Sequence, residues 1–178
     1  MLSALSFAGC QNGLVTPSAG ELLAYQQTAF LCGFTVSDAT LPADTTLTAS
    51  LARTAEGDNM TVTGKYSRTG YLFSGESCFL CSDLSTGEDA LKIPVTMPDT
   101  GGVGAWRSLF LCVFPDTAAV SRTAEGLCVE SVQADGTYRL IFSEDGTPRS
   151  LSRERDGQTL TLTITSFAYT EDPTAVSP

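Results

Sequence analysis

Three Asp-Gly pairs, Asp135-Gly136, Asp145-Gly146 and Asp156-Gly157, constrain this chain more than any other feature. Glycine supplies the positive φ that tight hairpin turns require, and aspartate favours the position before it. Between and after these pairs the side chains alternate. Tyr138, Leu140 and Phe142 are separated by Arg139 and Ile141, and Leu160, Leu162 and Ile164 by Thr161 and Thr163. An apolar residue at every second position builds a sheet with one oily and one wetter face. The spacing predicts a three-stranded meander from Asp135 to Tyr169, its middle strand, about Arg149 to Arg155, being the most polar.

Composition narrows the classes this sheet can serve. The 178 residues are 42% hydrophobic, enough for one domain with a real core, and the many Thr and aromatic residues favour strands. Ten Lys and Arg against 20 Asp and Glu leave a net charge of −10, which repels a phosphate backbone and argues against nucleic-acid binding. The chain has no His, so it lacks the usual general base and the usual metal ligand.

Residues 1–10 end in Phe7-Ala8-Gly9-Cys10 after an apolar run. This resembles the end of a bacterial lipoprotein signal peptide, in which the Cys becomes the lipidated first residue of the mature protein. Phe7 stands where Leu is usual, and no basic residue precedes Arg53, so a charged leading segment is missing. The alternative is a buried N-terminal strand with an inert Cys. On the lipoprotein reading Cys10 carries the lipid, and residues 11–17 form a tether that reaches roughly 20 Å when extended.

The folded domain is expected over residues 18–169. Ser18 and Glu21 have capping-box spacing, predicting a short helix from about Ala19 to Thr28. Strands are expected at Phe30–Ser37, Thr46–Thr54 and Met60–Tyr66, with Glu56 to Asn59 as a turn. Gly70–Phe73, Ser77–Leu84 and Leu91–Val95 extend the sheet. Val103, Trp106, Phe110 and Val113 then recur at helical spacing, predicting a second helix from Val103 to Phe114 that Pro115 ends. Strands return from Leu127 to Tyr169, and residues 170–178 read as a frayed tail.

Three segments carry a family resemblance: Asn59-Met60-Thr61-Val62-Thr63-Gly64, the helix after Gly101-Gly102, and Gly136-Thr137-Tyr138-Arg139-Leu140-Ile141-Phe142 with Asp145-Gly146-Thr147-Pro148. In their order along the chain they resemble the lipoprotein-carrier superfamily of LolA/LolB-like proteins, including Gram-positive lipoproteins of that fold. The resemblance implies a mostly β (α+β) fold, a strongly curved antiparallel sheet or half-barrel whose concave apolar face is covered by about two helices. In carrier members the concavity holds acyl chains.

Other groups admit local chemistry. Of the six cysteines, Cys78 and Cys81 have redox or zinc-ligand spacing, but in a strand they project to opposite faces. Zinc would need further thiols, such as Cys112 and Cys128. The alternative is small buried hydrophobes. Glu88-Asp89 and Glu144-Asp145 read either as paired glycosidase acids or as solvated turn residues, since each falls where turns already favour acids. Arg139, Arg149, Arg153 and Arg155 read either as an anionic-headgroup surface or as partners for Glu144, Asp145, Glu154 and Asp156.

The expectation is a non-catalytic, extracytoplasmic lipoprotein, monomeric and anchored to the bacterial cell membrane through Cys10. It uses no cofactor or metal and binds an apolar ligand such as an acyl chain. Trp106, Phe110, Leu140, Phe142, Leu162 and Ile164 are the expected lining of its concavity. The rival is the same fold with a filled concavity that docks a cell-envelope protein.

Overall fold

The computed structural model describes residues 16–42, 45, 47–55, 57–65, 67–81, 91–96, 102–115 and 118–170. Cys10, most of the tether, Glu88-Asp89 and the tail from residue 171 lie outside them. The first element is helix α1 (Ala19–Leu23), continued as a 3-10 turn over Ala24–Gln27. Its start is the expected capping box: the Ser18 hydroxyl accepts from the Glu21 N–H, and the Glu21 carboxylate accepts from the Ser18 N–H. Six strands follow: β1 (Phe30–Asp38), β2 (Leu47–Arg53), β3 (Asp58–Thr63), β4 (Arg68–Ser74), β5 (Ser77–Cys81) and β6 (Lys92–Val95). Helix α2 (Gly102–Phe110) interrupts them, and β7 (Val120–Thr123), β8 (Gly126–Gln133), β9 (Gly136–Phe142), β10 (Pro148–Arg155) and β11 (Gln158–Tyr169) complete the chain.

All eleven strands form one antiparallel sheet in the order β6-β5-β4-β3-β2-β1-β11-β10-β9-β8-β7. Each neighbour is a hairpin partner except at the centre, where β11 returns to pair with β1. The first and last meanders are thereby zipped together by the two longest strands. The period-two reading of the terminal meander holds: Leu140, Leu151 and Leu162 face one another across β9, β10 and β11, all fully buried. Asp156 (φ 52°) and Gly157 (φ 75°) make the two-residue connection from β10 to β11, with positive φ at both positions as such a turn demands.

Several details differ from the sequence expectation. Asp58 and Asn59 belong to β3 and not to a turn. The Thr54 N–H bonds the Gly57 carbonyl at 2.9 Å, closing the hairpin two residues earlier. Gly57 permits this because a Cβ there would stand 2.2 Å from the Phe73 carbonyl of β4. Helix α2 ends at Phe110, four residues short of the expected Phe114. Val113, assigned to its buried stripe, is instead 80% exposed. The Phe110 carbonyl, which a helix reaching Phe114 would bond internally, accepts instead from the Tyr25 hydroxyl, and beyond the helix the Cys112 and Val113 carbonyls accept from Gln26 and Gln133.

The wetter face of the meander is not wholly polar, because Cys128 and Ile141, paired across β8 and β9, are both buried there. The arginines of the meander also choose other partners. Arg139 pairs with Glu125 and Arg153 with Asp135, both from hairpin tips, while Glu144 takes Arg122; Arg155–Asp156 is a pair of the expected kind.

Candidate ligand-binding site

Both helices lie on the face that carries Leu140, Leu151 and Leu162. The buried Tyr25 ring packs on Phe30, Phe142 and Phe167, and Phe110 of α2 packs on Phe30 and Phe34. Trp106, Phe110, Leu140, Phe142 and Leu162 belong to one buried cluster, and the half-buried Ile164 packs against it. The expected lining residues are therefore brought together, as a close-packed body. Cavities of about 260, 400 and 630 Å³ exist, and none of the six borders them. Within this body the Trp106 Nε1–H is buried with no acceptor among the described residues.

The covered face changes character towards β6. Strand register aligns Cys32, Leu51, Met60, Tyr71, Leu80 and Ile93 in one row from β1 to β6. Leu51 is 1% and Met60 0% exposed, Tyr71 and Leu80 are half-buried, and Ile93 reaches 45%. The neighbouring row runs Phe30, Arg53, Asp58, Phe73, Cys78 and Val95. The 630 Å³ cavity opens where this second row meets α2, lined by Phe73, Cys78 and Val95 on the sheet side and by Gly104, Arg107 and Ser108 on the helix.

One charged cluster joins the helix to that row. The Asp58 side chain is only 3% exposed and accepts from Arg107 Nε at 2.6 Å and from Arg53 Nη1 at 3.2 Å. The Arg107 guanidinium carbon lies over the Phe73 ring, 4.9 Å from its centroid, a cation–π contact. The sequence reading missed all three residues. Arg53 and Asp58 carried a signal, being an opposite-charge pair directly across a hairpin, but assigning Asp58 to a turn hid it. Arg107 carried none, since nothing local says which strand a helix will reach.

The cysteines do not converge. Cys78 and Cys81 lie on opposite faces of β5, Cys112 follows α2 and Cys128 is near the other edge of the sheet; each is a free thiol. Burial pushes the Cys32 and Cys112 thiols up to about 12. Among the described residues no group of three or more His, Cys, Asp or Glu side chains is arranged to hold a metal ion. No helix among them is long and apolar enough to cross a membrane.

No protein-family profile matches the chain, and no curated protein sequence does. Among solved structures it is similar to the crystal structure of LprF from Mycobacterium bovis, with 9% identity and a TM-score of 0.36 over 85% of this chain and 95% of that one. A likeness of that degree carries no information about ligand or activity.

Proposed function

We propose that this chain is a non-catalytic, membrane-anchored lipoprotein of the cell envelope that binds an apolar chain in the groove between α2 and β4–β6. The observation that carries the reading is the loss of cover along the row from Cys32 to Ile93, beside a cavity of about 630 Å³. Apolar side chains left partly open next to a groove of a few hundred Å³ are the usual setting of an apolar binding site. Anchoring through Cys10 belongs to the same proposal and rests on the Ala8-Gly9-Cys10 sequence.

In this proposal the sheet is a half-barrel. Helix α2 has nine residues, about 14 Å of helix. It nevertheless meets Phe73 on β4, Phe34 on β1 and also β10. Five inter-strand steps separate β4 from β10, about 24 Å across a flat sheet. Curvature brings these strands within reach of one short helix. Trp106, Phe110, Leu140, Phe142, Leu162 and Ile164 then form the closed end of the concavity, reached by ligand only if α2 lifts.

The close packing of those residues favours the second reading, a scaffold with a filled concavity that docks a protein partner. Titration with the neutral probe N-phenyl-1-naphthylamine separates the two. The proposal expects saturable binding, displaced by hexadecanol and abolished by Val95→Trp, which fills the groove from an edge strand. Absence of saturable binding, or binding untouched by Val95→Trp, overturns it and leaves the scaffold.

A further inference from the structure

We infer that the apolar chain bound in this groove ends in an anionic oxygen group, a carboxylate or phosphate, which the Arg107 guanidinium receives. The inference rests on the groove being the binding site. Arg107 lines it and, among the described residues, is hydrogen-bonded by one edge: Nε bonds Asp58, and the guanidinium lies over the Phe73 ring. Among the described residues neither Nη of Arg107 has an acceptor, so the outer fork of the guanidinium remains available for a two-oxygen anion.

Charge supports the same conclusion. Arg53 and Arg107 share a single carboxylate, Asp58, so the cluster carries one positive charge in excess inside a chain whose net charge is −10. That excess sits beside the buried Phe73 and Cys78 and the half-buried Val95, where it is screened less than at an open surface. Glu76, exposed at the β4–β5 turn, also borders the groove. It opposes an anion from open solvent, where water weakens its effect most. The row Phe73, Cys78 and Val95 leads away from Arg107 towards β6 and provides an apolar track for the chain behind such a headgroup.

Competition against N-phenyl-1-naphthylamine with matched ligands tests this. Palmitate should bind the wild type about tenfold or more tighter than hexadecanol, as a charge-assisted hydrogen bond to a partly desolvated arginine allows. Dodecyl phosphate should exceed dodecanol in the same way. The double variant Asp58→Asn/Arg107→Gln removes one charge of each sign and leaves no unpaired buried carboxylate. It should keep hexadecanol affinity and lose the preference for palmitate. Arg107→Lys, which keeps the charge but not the fork, should retain a reduced preference and serves as the readout if the double variant is unstable. Equal binding of palmitate and hexadecanol by the wild type overturns the headgroup and spares the groove, as does a preference that survives in the double variant. Failure of both ligands and of the probe overturns the groove itself. Competition by millimolar inorganic phosphate, with no gain from an attached chain, would mark a site for free anions and overturn the amphiphile.

Discussion

The Tyr25 phenol donates to the Phe110 carbonyl at 3.2 Å, joining residues 85 positions apart in the chain. It ties the 3-10 turn after α1 to the last residue of α2, so the two helices are fastened to each other. Burial pushes the Tyr25 phenol above its ordinary range, which favours the protonated form that donates. Tyr25→Phe keeps the ring and removes the donor, leaving a buried carbonyl short of a partner. Urea unfolding should show a loss of about 1–2 kcal/mol; an unchanged midpoint would mean that the carbonyl is satisfied some other way.

Asp58 holds α2 to β2 and β3 through two arginines whose side chains are 26% and 27% exposed. Asp58→Ala strands two guanidiniums that can still reach water in part. The expected loss is about 3 kcal/mol, the lower end for breaking a buried pair. Protection of α2 amides from hydrogen exchange should fall more than that of β9–β11 amides. A uniform fall across both would show that Asp58 supports the whole fold rather than the helix contact.

Trp106 is 3% exposed and its indole N–H is without an acceptor among the described residues. Trp106→Ala empties a packed site and should cost about 3–5 kcal/mol. Trp106→Phe removes the unsatisfied donor together with some volume. The two effects oppose each other, and the net change should stay within about 1 kcal/mol. Equal, large losses from both variants would imply that the indole N–H has a partner worth keeping.

At the β9–β10 turn the Asp145 carboxylate accepts from the Ser143 hydroxyl and from the Thr147 N–H. These bonds, Ser143 first, lower its pKa from 3.8 to about 2. A depressed carboxylate contributes stability that is complete above its unfolded pKa and lost as pH falls through the folded one. The difference in melting temperature between wild type and Asp145→Asn should therefore be constant above about pH 5. It should shrink between about pH 4 and 2, where the charge is lost. A difference that persists unchanged at pH 2 would assign the effect to turn geometry instead of charge.

The sequence by itself determined the strands of the terminal meander, the Asp156-Gly157 turn and the Ser18–Glu21 cap. Each depends on residues within a few positions of one another, where periodicity and backbone freedom act directly. It also grouped Trp106 and Phe110 with Leu140, Phe142 and Leu162, as the lining of a concavity. Tertiary structure alone decided where α2 stops: Tyr25 takes the carbonyl of its last residue, Phe110, and Gln26 and Gln133, distant in sequence, take those of Cys112 and Val113 just beyond it. It likewise decided that those apolar residues pack closed while the row towards Ile93 stays open. Alternation says which face of a strand is oily, whereas how much of that face the two short helices pack against is set by contacts across the fold. Which part α2 packs against depends on where Arg107 meets Asp58, a contact across 49 residues that no local pattern encodes.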